Sequence, residues 1–321
     1  MNKKLIKNIV FVISIFLILQ TLQGLNIINR YYAGIIIVCC INIILVTSLN
    51  VTCGFLGNLT LGHAGFMAIG AYSSSFITKT LEMDNNIEFI IAIIIGGILS
   101  SIFGLIISIP SLRLKGDYLA IITLAFGEAI RNILLNLNFL GGAKGYMGIF
   151  RYTTFPIAYI LVIITIVVIL FIKYSRYGRA ILAIREDEIA ATSSGINSSK
   201  YKMLSYIVSA FFGGIAGALY AHYIGILDPS IFSFNKSIEI LVMVVLGGMG
   251  NIIGGIISAI TLTILPEYLK EFSSYRTFVY ALVLIMFMLF KYDPRFVFIK
   301  YKIKRKISSI KLLKKEDKGN A

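Results

Sequence analysis

Eight apolar runs, at about residues 5–22, 33–49, 64–81, 88–109, 117–136, 155–172, 203–225 and 275–290, constrain this chain more than any other feature. Most reach or approach the roughly 20 residues that a helix needs to cross the hydrocarbon of a bilayer. A soluble domain of 321 residues has no interior large enough to hide them. With 58% hydrophobic residues and a mean hydropathy of +0.88, the chain reads as an all-α polytopic membrane protein. A ninth apolar region, 237–265, is interrupted by Gly247, Gly248, Met249, Gly250 and Asn251. The expected architecture is eight full spans plus a broken helical hairpin, ten embedded helices in all. Residues 1–290 form the transmembrane domain and 291–321 a basic cytoplasmic tail.

The net charge of +15 is a topology signal in such a chain, not a sign of nucleic acid. With the N-terminus in the cytoplasm and the first seven runs alternating, 22 of the 30 Lys and Arg fall inside. The acidic loop 82–88 falls outside. The basic tail returns to the inside only if 237–265 enters and leaves on one face, as two half-helices. Both termini are therefore expected in the cytoplasm. Lys3, Lys4 and Lys7 precede the first run without a small-x-small cleavage site, which favours an uncleaved first span. Cys39, Cys40 and Cys53 lie in or beside apolar runs, lack metal-ligand spacing, and read as packing residues.

The longest polar segment between two membrane-length runs is 177–202, within a loop at 173–202. Arg185, Glu186, Asp187 and Glu188 open a short helical pattern, with acidic residues where the helix dipole favours them. Gly195 stands where a left-handed helix end is expected. Ile181, Ile184 and Ile189 would be left apolar on a charged loop. An interfacial helix lying on the bilayer is one reading. A helix that docks into a groove on a soluble partner is the other.

Gly54, Gly57, Asn58 and Gly62 share the pattern G-x-x-G-N-x-x-x-G with Gly247, Gly250, Asn251 and Gly255. Glycine-interrupted segments repeated in two halves of a membrane protein point to a transport pathway. Chance, and small residues for close helix packing, explain the same pattern. Glu128 and Arg131, three apart in one run, can neutralise each other on a helix face. Glu239 opens the broken hairpin, where it can favour a helix N-terminus. His63 and His222 are solitary and read as hydrogen-bonding packing residues, so no metal site is expected. The chain has no G-x-x-x-x-G-K-[ST] loop, no carboxylate or histidine relay and no catalytic Ser–His–Asp or Cys–His set. It reads as a conduit without its own energy source. An ion-coupled carrier and a membrane scaffold are the alternatives from other classes.

Several blocks together are similar to the permeases of branched-chain amino acid ABC importers, and among them to the M-type subunit. They are PSLRLKGDYLA at 110–120, GEAIR at 127–131, GR at 178–179, AIREDEIAA at 183–191, SIEI at 237–240 and VVLGG at 244–248. Glu188, Ile189, Ala190 and Ala191, followed after three residues by Gly195, resemble the family's E-A-A-x-x-x-G coupling loop, with Ile189 inserted before the alanine pair. The resemblance covers about residues 50–269. It implies a bacterial cytoplasmic membrane complex with an H-type second permease, two ATPase subunits and an extracytoplasmic substrate-binding protein. ATP and Mg are held by the ATPases, so no cofactor is expected in this chain, and membrane lipid surrounds it. Related permeases move urea, short amides or sugars, so the substrate is less closely implied than the class.

Overall fold

The computed structural model describes residues 29–81, 86–114 and 116–269, with residues 20, 21, 282 and 285. The runs at 5–22 and 275–290 and the tail at 291–321 lie outside the described residues, apart from those four positions. The chain divides into two compact units, Met1–Ile264 and Leu265–Ala321.

The described part is helical, as hydrocarbon requires: a helix satisfies its backbone N–H and C=O groups within the segment. In order come α1 (Arg30–Asn50), α2 (His63–Leu81), α3 (Asn86–Ser111), α4 (Asp117–Asn136), α5 (Phe155–Tyr174), α6 (Arg176–Glu186), α7 (Glu188–Ser193), α8 (Ser198–Ile224), α9 (Phe234–Gly247) and α10 (Ile252–Tyr268). Among the described residues, five segments are long and apolar enough to cross a bilayer: Arg30–Phe55, Ile87–Ser111, Asp117–Asn136, Phe155–Tyr174 and Ser198–Ile224. The protein is thus a polytopic all-α membrane protein. Among the described residues, the strands are a two-residue ladder, β1 (Tyr146–Met147) against β2 (Ile226–Leu227), with Tyr146 opposite Leu227.

The apolar runs at 33–49, 64–81, 88–109, 117–136, 155–172 and 203–225 correspond to α1–α5 and α8. The ninth region breaks as expected, into α9 and α10 with Gly248–Asn251 between them. At 14 and 17 residues these half-helices are about 21 and 25 Å long, short of the roughly 30 Å hydrocarbon thickness. They fold back on each other. Ser258 Oγ donates to the Met243 carbonyl at 2.5 Å, and a Cβ on Gly247 would stand 2.6 Å from Gly255 Cα.

The centre is built from α1, α2 and α8, and small residues set its spacing. A Cβ on Gly70 would run into the Gly214 backbone, one on Gly217 into the Met67 carbonyl, and one on Gly104 would meet Ala210 Cβ at 2.5 Å. Helices α2, α3 and α8 therefore touch backbone to backbone, the packing that membrane helices use where no hydrophobic force drives them together. Ser100 Oγ, on α3, adds a bond to the Phe66 carbonyl of α2 at 3.0 Å. By contrast α4 and α5 leave much of their surface uncovered in this chain, Ile121, Ile133, Ile160 and Phe171 among it.

Candidate functional site

The end of the bundle where α5 gives way to α6 gathers most of the residues that the sequence singles out. The helical path of α1 widens there into a π-turn, Val51–Phe55, and Asn58 N returns to the Thr52 carbonyl at 3.1 Å. Such single π-turns are frequent at functional sites. Gly54, within this turn, faces Gly250, within the break between α9 and α10: a Cβ on Gly54 would collide with Gly250 N and with Asn50 Oδ1. The repeated motifs, 193 residues apart in sequence, thus meet at their glycines. Asn50 Oδ1 accepts from Gly250 N at 2.8 Å. Gly57 and Gly250 are left-handed, at φ 81° and 84°, where an L side chain is strained.

Two cations close the junction. Arg185 Nη1 donates to the Gly54 carbonyl at 2.7 Å, and its stem lies where a Cβ on Gly57 would approach to 3.0 Å. Lys173 Nζ donates to the Gly250 carbonyl at 3.0 Å and stands 5.0 Å from the Phe55 ring centroid. Carbonyls freed from a helical ladder need donors in or near hydrocarbon, and a charged donor is the stronger kind. Asn50 and Lys173 were not among the sequence candidates. Their signal was a polar residue at the end of an apolar run.

The motifs' remaining members take separate places. Gly62 packs on the Thr123 carbonyl of α4, whose hydroxyl accepts from Leu61 N at 3.0 Å. Gly247 and Gly255 form the crossing of α9 on α10, and a Cβ on Gly255 would stand 3.1 Å from Val46 Cγ1 of α1. Asn251 Oδ1 accepts from Gly254 N at 3.2 Å and starts α10. Asn58 is half-buried beside the π-turn.

The polar loop is two short helices, where one beginning at Arg185 was expected. Ser175 Oγ caps α6 through Tyr177 N and Gly178 N, and the absence of a side chain at Gly178 lets α6 turn tightly against the end of α5. Arg185 and Glu186 end α6. Asp187 is extended (φ −155°, ψ 109°) and caps α7, accepting from Ile189 N and Ala190 N at 2.8 and 3.1 Å. Gly195 (φ 85°) ends α7 as expected. Its N–H goes to the Thr192 carbonyl and that of Ile196 to the Ala191 carbonyl, the paired bonds of a Schellman motif.

Burial corrects the expected docking face. Ile181, Ile184 and Ala191 are covered by the chain itself, at 1%, 5% and 5% exposure. Ile189 remains open at 74%, with Ala190, Thr192 and Ser193 also exposed. Apolar spacing on α6 marked a face that needed covering, and α5 and α8 cover it. Glu188 also turns inward. It accepts from Lys202 Nζ at 2.5 Å and from Ser198 Oγ at 2.6 Å, fastening α7 to the start of α8. The Lys202 side chain is only 6% exposed, so Glu188 neutralises a buried charge.

Glu128 and Arg131 pair as expected, Oε2 to Nε at 2.7 Å. The second carboxylate oxygen of Glu128 accepts from Phe234 N at 2.8 Å, so Glu128 stands at the N-terminus of α9. The sequence reading gave that position to Glu239, which instead pairs with Lys236 at 3.1 Å one turn further on. His63 bonds to Ser48, and His222 to Thr78 and the Ala218 carbonyl, at 2.9 to 3.0 Å. Both are hydrogen-bonded packing residues.

A polytopic helical bundle, with glycine-broken segments joined to a pair of short helices outside its spans, has the build of a membrane permease. The chain belongs to the family described as branched-chain amino acid transport system / permease component, which residues 31–290 match. It is 32% identical over 286 residues to the high-affinity branched-chain amino acid transport system permease protein LivM of Salmonella typhimurium and, equally, to that of Escherichia coli K12; each match covers 78% of this chain and 66% of the relative. The matched stretch thus falls just under two thirds of those relatives' length. It is also 32% identical over 116 residues to the permease protein LivH of Escherichia coli K12, across 35% of this chain and 37% of that one. No solved structure matches it.

Proposed function

We propose that this chain is a permease subunit of an ATP-driven importer and forms part of the membrane path for branched-chain amino acids. Its partners are a second permease, two ATPase subunits and a substrate-binding protein outside. Both termini and helices α6 and α7 face the cytoplasm of a bacterial inner membrane. Membership of the permease family and likeness to LivM support the substrate class, and the shorter likeness to LivH fits pairing with a related second subunit.

One observation carries the coupling role. Arg185, next to the exposed Ile189–Ala190 surface, bonds to the Gly54 carbonyl at the meeting point of Gly54 and Gly250. A push on α7 from an ATPase reaches the π-turn of α1 and the break between α9 and α10 through that one side chain. The test is Ile189→Glu, which adds an unpaired charge to a surface the ATPase must cover. It should weaken copurification of the ATPases at least tenfold, or about 1.4 kcal/mol, and abolish substrate-stimulated ATP hydrolysis in proteoliposomes. Normal assembly and normal stimulation in this variant would remove α7 as the coupling element. Leucine uptake driven by an ion gradient with no ATPase present would overturn the class.

A further inference from the structure

A groove of about 780 Å³ runs along the outside of the bundle between α3, α5 and α8. Its walls are almost wholly apolar, with Ile94, Ile164, Val168, Ile207 and Phe211 among them. It extends from Ile157 to Ile172 of α5, about 22 Å at 1.5 Å per residue, deeper than the roughly 15 Å of hydrocarbon in one leaflet. Ile207 also lines a second depression, of about 440 Å³, bounded by Tyr177, Lys200 and Tyr201. The two share Ile207 of α8 as a common wall, one apolar and the other edged by Lys200.

The rim is aromatic and basic. Arg176 stands 5.1 Å from the Tyr177 ring centroid and donates to its hydroxyl at 3.3 Å, and Tyr177 and Tyr201 have their rings 6.2 Å apart. The Arg176 hydrogen bond and charge hold the Tyr177 phenol below its ordinary pKa, and Lys200 adds to that effect. Among the described residues, neither Arg176 nor Lys200 has a carboxylate partner in a salt bridge. Tyrosines with unpaired cations are the residues found at headgroup level, and basic pockets beside membrane helices take anionic headgroups.

We propose that groove and rim are one binding site for an anionic glycerophospholipid. Its acyl chains lie along Ile164 and Val168, and its phosphate is held between Arg176 and Lys200 with the tyrosine hydroxyls as further donors. A neutral lipid fills the groove equally well but gains nothing from the rim. A protein helix seated there would bury the apolar wall and make no use of the two exposed cations at its end. The site stands on α3, α5, α6 and α8 and requires no particular transported solute.

The experiment is native mass spectrometry of the detergent-purified complex containing this chain. The complex is delipidated and then incubated with phosphatidylglycerol or with phosphatidylcholine of the same acyl chains. Two cations at the headgroup should favour the anionic lipid about thirtyfold. Arg176→Gln with Lys200→Gln should bring the two lipids to parity, and the charge-conserving pair Arg176→Lys with Lys200→Arg should restore the preference. Ile164→Trp, filling the groove at a half-exposed position, should expel both. Equal retention of the two lipids by the unaltered complex would overturn the proposal. So would a preference that survives the double Gln change, or lipid retained by Ile164→Trp. A complex that binds neither lipid would overturn it as well.

Discussion

The Gly54 carbonyl and the Gly250 amide sit at one crowded point, with Asn50, Arg185 and Lys173 around them. Gly54→Ala puts a methyl group into Gly250 N and Asn50 Oδ1, and backbone cannot step aside as a side chain can. Overpacking of this kind costs about 1–3 kcal/mol, which a lower thermal midpoint in detergent will report. Gly250→Ala adds strain at φ 84°, about 1–2 kcal/mol. Because the two substitutions break one shared contact, the double variant should fall short of their sum. Arg185→Ala removes a charged donor from the Gly54 carbonyl, a bond worth about 1.5–3 kcal/mol. It should leave membrane insertion normal and lower leucine uptake at least tenfold, with Arg185→Lys intermediate. Unchanged uptake in the alanine variant would detach this residue from the transport step.

Among the elements, α7 is the one whose ends are most tightly specified. Gly195→Ala forces a methyl group into the left-handed region at φ 85° and should lower stability by about 1 kcal/mol without touching a neighbour. Glu188→Ala should cost more, about 2–3 kcal/mol, because it leaves the buried Lys202 ammonium unpaired; Glu188→Ala with Lys202→Met should recover most of that loss in the same unfolding measurement. The sequence makes some of these features readable and hides others. Gly195 and the run Gly247–Gly248–Met249–Gly250–Asn251 declare a helix end and a helix break through their own backbone preferences. The split at Asp187 is hidden, since Arg185, Glu186, Asp187 and Glu188 suit a helix end, a cap and a first turn equally. Ile181 and Ile184 mark an apolar face, but periodicity cannot say whether that face meets its own chain or a partner. The shared glycine pattern is visible, whereas the meeting of its two copies depends on a fold that brings together segments offset by 193 residues.

For the molecule as a whole, the proposed orientation, with both termini in the cytoplasm, places α7 and the β1–β2 ladder on opposite faces of the membrane. In a version lacking Cys39, Cys40 and Cys53, an impermeant thiol reagent added outside intact cells should label Ala143→Cys and miss Ser193→Cys, both at exposed positions. The reverse pattern would invert the protein. Within the bundle, the crossings of Gly70 on Gly214, Gly217 on Met67 and Gly104 on Ala210 join α2, α3 and α8 through backbone. Such a joint has no rotamers to exchange and no gap to open by degrees. Through a cycle of transport these three helices should keep their separations as a ruler does, with displacement taken up where the chain is already bent, at 175, at 187 and at 248–251. Spin labels at Phe76 and Ile102 would then report one unvarying distance, while a label at Met249 paired with either would keep time with each ATP consumed.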